Sequence, residues 1–472
     1  MGTISDKLMR IINTKEDIRQ ALISKGYDVP TSIPFKEYAK MISDLPCRVD
    51  SFPDIEGIVA RYSALGLTNE QMAANPVWVD KTGNGHDLQM KNFAWKEGSG
   101  ISDIYPGALV FDGVDDWAGC DNLPLLPKEK GYSIIALRNW ITRYDATQYK
   151  RPLISNLDTN DEGAFLIEYR KDENVNDVTG SYNSFTDVYI DDNNPITWQT
   201  SSSYNGQIIK KGTSKSTNKT CICKTYFGQL SNYANAAIWE LIILDHDATE
   251  EELTKIKDYF VKTYPWLFPD QAWTVTGKTN EDEDRATIAN ITGNSNDLVL
   301  SNFGFVEGSG YNEEGEYAGY LVTDGVDDKV VSAESIAFTD TWTIITDTVF
   351  LGKVSVASGI LASNIFTVYN YQGSGTIAVT MGEGGSSLRV ITSSIKAFSS
   401  DGTIYDAEWN EYHVEIGTIR ALERLLKIGT SSNETSYFCQ LAFKFLGIYN
   451  NQILSKEDCI KAYNYLQTLK AK

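Results

Sequence analysis

Two copies of one acidic pentapeptide, Asp112-Gly-Val-Asp-Asp116 and Asp324-Gly-Val-Asp-Asp328, gather carboxylates closely enough to do chemistry. Oxygen-rich turns suit hard cations, so Asp112, Asp115 and Asp116 are candidate calcium ligands, as are Asp324, Asp327 and Asp328. The same residues also read as a tight turn, in which Gly takes a positive φ and the Asp side chains bond their own backbone. The turn reading is preferred, with calcium kept as the alternative. Retaining glycoside hydrolysis needs two carboxyls about 5–5.5 Å apart. Glu408, Glu411 and Glu415 are the nearest thing to a strand-borne acidic set, and exposed charges on a sheet are ordinarily only solvated. His86, His246 and His413 are scattered, and the chain carries neither a P-loop nor a dinucleotide glycine fingerprint. No catalytic residue and no bound cofactor are therefore expected.

Binding chemistry is better represented. The chain holds 10 Trp, 26 Tyr and 18 Phe, and Tyr182, Tyr204, Tyr369 and Tyr371 fall in Gly/Asn/Ser-rich segments that read as loops. Sugar rings stack on aromatic faces while Asn and Asp hold their hydroxyls, which makes these four tyrosines candidate glycan contacts. Packing at strand ends or between subunits is the competing role. Trp78, Trp95 and Trp239 are assigned to the core. Six cysteines (47, 120, 221, 223, 439 and 459) follow no zinc spacing and are expected as buried thiols, with Cys221 and Cys223 as alternate residues on one strand face. A formal charge of −21 without a basic run argues against nucleic-acid and anionic-membrane partners. No stretch reaches the roughly 18 apolar residues of a membrane span, and the amino terminus lacks a signal peptide's apolar core.

The elements that must position these residues come in duplicate. Thr82-Gly-Asn-Gly-His-Asp-Leu, Asn92-Phe93 and Glu97-Gly-Ser-Gly100 recur as Thr292-Gly-Asn-Ser-Asn-Asp-Leu, Asn302-Phe303 and Glu307-Gly-Ser-Gly310. The offsets are 210 (293 − 83) and, for the pentapeptide, 212 (324 − 112). A period so long requires each copy to close its own core. Within each copy lie short β-rich runs such as Phe165–Tyr169, Phe185–Ile190, Thr376–Thr380, Leu388–Thr392 and Tyr412–Ile416, punctuated by Asn, Asp, Gly and Ser. Such patterning predicts antiparallel sandwiches or jelly rolls. Each copy ends in a hydrophobic strand and one capped helix: Ala237–Leu244 then Glu250–Tyr264 behind Thr249, and Phe445–Tyr449 then Lys456–Leu469 behind Ser455.

The first residues differ. Leu8, Ile11, Ile12, Ile18 and Leu22 sit at helical spacing, and Phe35 and Tyr38 begin a further helical face after Pro34. A module this small buries little core alone, so it is expected to dock on a partner or into an oligomer, or else to cap the first large domain. The domains predicted are 1–47 (helical attachment or oligomerisation module), 50–268 and 269–472.

Asp80-Lys-Thr-Gly-Asn-Gly-His-Asp-Leu, Ala108-Leu-Val-Phe-Asp-Gly-Val-Asp-Asp116 and the closing strand and helix resemble the laminin-G-like branch of the concanavalin A-like lectin/glucanase fold. The second copy matches more loosely, with Asn290 for Asp80, Ser295 for Gly85, and Leu321-Val-Thr-Asp324 where the family has Phe before Asp. The resemblance implies two tandem antiparallel β-sandwiches, a mainly β fold, and carbohydrate binding as one of several uses; some relatives bind calcium. Glycosidases of that fold share a Glu-x-Asp-x-x-Glu strand, a spacing that this chain lacks. The opening from Ile12 to the Pro34-Phe-x-x-Tyr-Ala stretch resembles the start of head- and tail-fibre proteins of phages of gut Bacteroides, including crAss-like phages. That second resemblance implies a virion component, a homotrimer by analogy with fibres, anchored to capsid or tail proteins and touching host-surface glycan. A host-encoded carbohydrate-binding protein is the main alternative, and a polysaccharide-degrading enzyme the third.

Overall fold

A computed structural model describes Lys15, Arg19 and residues 52–126, 131–141, 150–156, 165–170, 183–186, 195–200, 203–204, 207–208, 218–225, 227, 232–352, 358–363, 366–370, 377–382, 387–390, 392, 394–417, 425–430 and 438–471. The chain divides into two compact units, Met1–Asp54 and Ile55–Lys472. In the first, Lys15 and Arg19 have helical backbone; Leu8, Ile11, Ile12, Ile18, Leu22, Phe35, Tyr38 and Cys47 lie outside the described residues.

The second unit is mainly β and holds two sandwiches, each of two sheets. In the first sandwich, one sheet runs Gln207–Ile208, Ser203–Tyr204, Ile196–Thr200, Ser133–Trp140, Asn235–Leu244, Leu109–Asp112, Gly100–Ile101. Its partner runs Asn183–Thr186, Phe165–Arg170, Lys150–Ser155, Thr220–Ile222, Trp117–Cys120, Leu88–Lys91, Val77–Trp78. The second sandwich pairs a sheet centred on Trp342–Phe350 and Leu441–Asn450 with one running Thr287–Ile288, Leu298–Ser301, Lys329–Ser332, Lys427–Ile428, Ser358–Ala362, Phe366–Asn370, Ile377–Met381, Ser387–Val390.

The period-two pattern decides what each strand buries: in Leu88–Lys91, Leu88 and Met90 are buried while Gln89 and Lys91 are exposed. Trp78, Phe111, Ile134, Trp140 and Ile222 close the first core, and Trp273, Tyr311, Trp342, Phe366 and Phe398 the second. Each such side chain contributes on the order of 1.5–3 kcal/mol by burial. The long strands Asn235–Leu244 and Leu441–Asn450 are buried along both faces, because the core covers one side and the following helix the other.

The repeat is reproduced down to its irregularities. Trp239 and Lys444 are the extra residues of equivalent β-bulges, and their carbonyls accept the Ala64 and Val275 N–H groups, each at 2.9 Å. Asp80 Oδ1 accepts the N–H of Thr82 at 3.0 Å, as Asn290 Oδ1 does that of Thr292. The Asp80→Asn change therefore preserves the accepting oxygen.

The helices Glu250–Thr263 and Lys456–Thr468 begin at Thr249 and Ser455 as expected, and each stops one residue short. Tyr264 precedes Pro265, whose ring disfavours helical backbone at the residue before it. Cys120, Cys221, Cys223, Cys439 and Cys459 are buried free thiols. Cys221 and Cys223 do not share a face: Cys223 has φ +57° and joins Ile222 in the core, while the Cys221 thiol faces the Lys224 carbonyl. The left-handed turn at Cys223 breaks the alternation on which that expectation rested. In the second sandwich Gly429, at φ +80°, makes the equivalent turn.

The two sandwiches pack against each other through aromatic side chains. Trp239 is fully buried, its ring 6.2 Å from that of Tyr465 in the C-terminal helix, and its indole N–H bonds the Pro106 carbonyl. Among the residues of the first core cluster Trp239 does not appear; it is covered by the second sandwich. Trp266, in the connecting turn, packs edge-on against Tyr264 and beneath Lys461, and its carbonyl accepts the Tyr449 hydroxyl at 3.0 Å.

Candidate functional site

The acidic turns are alike in both copies. Asp112 Oδ1 accepts the N–H groups of Val114, Asp115 and Asp116 at 2.8, 3.2 and 3.3 Å, and Asp116 Oδ2 accepts the Asp112 N–H. Asp324 and Asp328 repeat each of these bonds. Gly113 and Gly325 hold φ of +75° and +76°, and a Cβ at Gly113 would stand 2.8 Å from Asn235 Cβ.

The three carboxylates of each turn offer oxygens within 4.8 Å of one another, which is the chemistry calcium prefers. Yet the turn's own amides occupy Asp112 Oδ1 and Asp116 Oδ2, leaving few oxygens for a cation that takes six to eight. Asp116 Oδ1 and Asp328 Oδ1 are buried without a hydrogen bond of ordinary geometry, although the Ser99 and Ser309 hydroxyls lie near and favour ionisation. Burial dominates and pushes both carboxyls up to about 6.

Burial makes both carboxyls easier to protonate, and the consequence is measurable. A carboxyl with a raised folded-state pKa gains stability as pH falls through about 6, and the gain levels off below the unfolded value near 3.9. Asp116→Asn and Asp328→Asn should each stabilise the protein at pH 7.5 by about 1 kcal/mol, discounted because these turns lie at the solvent boundary. Both should flatten the rise in melting temperature between pH 7 and 5. Calcium-dependent stabilisation of the native chain, lost in these variants, would instead assign the cation.

Of the four candidate tyrosines, Tyr204 and Tyr369 are among the described residues, and they lie in different sandwiches. Tyr182 and Tyr371 lie outside the described residues. Tyr204 is in a short strand of the first sandwich and Tyr369 in a strand of the second, so neither is the loop residue its Gly/Asn/Ser-rich surroundings suggested. Strand pairing overrode local composition, as the β preference of Tyr allows. Tyr369 alternates with the core residues Phe366 and Val368, stands half-buried on the opposite face, and lies between Gly359 and Ala378 of the adjacent strands. Of the histidines, His246 bridges Asp245 and the capping residue Glu252, and His413 is exposed. Glu408, Glu411 and Glu415 are all exposed.

A different aromatic group carries the strongest site, and sequence reasoning passed over it. Strands Thr403–Asp406 and Glu411–His413 form a hairpin whose tip is Asp406-Ala-Glu-Trp-Asn410. The Asp406 carboxylate accepts the N–H groups of Glu408 (2.9 Å) and Asn410 (2.8 Å), the Asn410 amide (3.0 Å) and the Tyr412 hydroxyl (3.1 Å). Burial opposes its charge, but those bonds prevail and hold it below the usual carboxylate range.

So fixed, the tip presents Trp409 at φ +63°, a left-handed conformation uncommon for a bulky residue, which Trp95 and Phe305 of the repeated turns also adopt. Its ring is half-buried and meets Tyr463 edge-on at 5.6 Å. Lys396 places its ammonium 4.7 Å from the Tyr463 ring centre and 5.3 Å from that of Trp409. Beyond Tyr463, Asp347 is 6% exposed and accepts the Tyr320 hydroxyl at 2.9 Å, while Lys444 stands 5.3 Å over the Tyr320 ring. Burial, then Asp347, drives the Tyr320 and Tyr463 hydroxyls far above their ordinary pKa, so both remain donors. A Trp inside an Asp/Asn-rich turn between two short β runs was the signal in the sequence.

The fold and site thus define a tandem β-sandwich protein with an aromatic and cationic surface on its second sandwich. No family model matches the chain. No curated protein matches it either. Among solved structures it is similar to Trypanosoma rangeli sialidase in complex with sialic acid, at 11% identity and a TM-score of 0.29 over 50% of this chain and 41% of that one. It is also similar to the botulinum neurotoxin serotype D binding domain, at 9% identity and a TM-score of 0.32 over 84% of this chain and 98% of that one. The chain spans about two fifths of the sialidase chain's length. Superpositions this loose leave function to be argued from the side chains.

Proposed function

We propose that this protein is a non-catalytic structural component of a phage virion, a head or tail fibre or surface decoration, whose sandwiches contact host-surface glycan. The amino-terminal helices attach it to capsid or tail proteins, and the chain assembles as a homotrimer. The observation that supports the glycan contact is Trp409, held in left-handed backbone by the Asp406 carboxylate and set beside the Lys396 ammonium. Sugars are recognised by an apolar ring face on an aromatic surface with polar groups around it. The exposed glutamates of the hairpin are read as solvated, not catalytic.

Trp409→Ala should weaken binding to a glycan-array hit about thirtyfold, the scale of a truncated hot spot, while leaving the far-ultraviolet circular dichroism unchanged. Retained affinity would move the contact elsewhere. Mass spectrometry of purified particles tests the virion reading; absence of the protein from them would favour a host-encoded carbohydrate-binding protein. Reducing-sugar release from capsular polysaccharide would revive the enzyme.

A further inference from the structure

In a chain with 63 acidic and 42 basic residues, a half-buried lysine ordinarily finds a carboxylate. Lys396 and Lys444 do not. Both are partly buried at the Trp409 surface, and among the described residues their contacts are ring faces, with no carboxylate within salt-bridge distance. The nearby carboxylate, Asp347, is occupied by tyrosine hydroxyls. Tyr320 donates to Asp347 and Tyr463 lies beside the same carboxylate, so Lys444 and Lys396 stand over two rings that meet at Asp347, and Trp409 packs against the second of them. An ammonium on an aromatic face keeps N–H donors directed away from the ring, and those donors suit an anionic guest.

We propose that this surface is a site for an acidic sugar residue, a uronic or related carboxylated glycan, with its carboxylate held by Lys396 and Lys444 and its ring against Trp409. The inference rests on the glycan-contact reading and narrows its substrate class. Asp347 accepts the Tyr320 hydroxyl and has Tyr463 beside it, so the carboxylate is directed at the tyrosines and bonds neither lysine. Each lysine supplies one charge-assisted contact, and the chain's negative charge elsewhere repels anionic polymers from other faces.

The test is a glycan array carrying carboxylated and neutral oligosaccharides, probed with the full chain, followed by calorimetric titration of the best hit. Carboxylated glycans should dominate the hits, their binding should weaken with added salt, and Lys396→Gln and Lys444→Gln should each reduce affinity about ten- to a hundredfold. Lys444→Met, which keeps the apolar stem over Tyr320, should lose binding equally and serves as a second variant if glutamine perturbs the fold. Hits confined to neutral glycans, with lysine variants unaffected, would overturn the acidic-sugar site and leave glycan contact standing. An array without hits would overturn both.

Discussion

Glu240→Ala is expected to destabilise the protein by about 3–5 kcal/mol, the cost of removing one member of a buried ion pair. Glu240 is fully buried beneath the helix Glu250–Thr263 and accepts Arg61 Nε at 3.2 Å and Nη2 at 3.3 Å, the Tyr259 hydroxyl at 3.0 Å and the Tyr264 hydroxyl at 2.7 Å. Burial raises its pKa, and Arg61 is the chief opposing influence. Removing the carboxylate takes both of these bonds from Arg61, itself 4% exposed, and leaves its guanidinium beside the Tyr259 hydroxyl and ring.

The second sandwich already contains the control. In matching register, Ala272 stands where Arg61 does, and Phe445 where Glu240 does, packed 5.1 Å from Tyr463. The double variant Arg61→Ala/Glu240→Phe should therefore recover most of the loss, since a well-packed apolar pair often equals a buried ion pair. Urea denaturation of the single and double variants measures both effects. A single-variant loss under 1 kcal/mol would mean that water reaches the pair.

Trp239→Ala should cost a comparable 3–5 kcal/mol and should also separate the unfolding of the two sandwiches. The ring lost is one that the C-terminal helix covers, and its N–H leaves the Pro106 carbonyl without that donor. The polar contacts nearby, among them the Asn464 amide to the Asp103 carbonyl at 3.2 Å, the Trp266 carbonyl to Tyr449 and Lys461 over the Trp266 ring, are expected to hold the coupling less firmly than the aromatic packing does. Calorimetry should then resolve two transitions, against a single one expected of the native chain; a single cooperative transition at lower temperature would show that Trp239 acts only within the first sandwich. The distinction matters for the proposed fibre role, because a rigid pair of sandwiches would transmit orientation along the chain and a loose pair would not.

Much of this architecture was legible from residue order. The repeated Thr-Gly-Asn and Asp-Gly-Val-Asp-Asp segments place the same turns in both copies because their bonds are local: Asp112 and Asp324 satisfy amides two to four residues away, a reach that sequence spacing specifies. The helix starts at Thr249 and Ser455 were legible for the same reason. Alternation gave the inward and outward faces of strands such as Leu88–Lys91, and failed at Cys223, where left-handed backbone reverses one residue.

What tertiary structure alone decided is which distant residues meet. Tyr369 and Tyr204 resemble loop aromatics by composition, and cross-strand pairing placed them in different sheets. Trp239 is apolar enough for any core, but the cover it received comes from a helix more than 200 residues later. The Trp409 surface joins Tyr320, Asp347, Lys396, Lys444 and Tyr463 from five elements, so no spacing announces it. Local hydrogen bonding is encoded within a few residues, whereas burial and charge pairing depend on contacts that exist only once the sheets have closed.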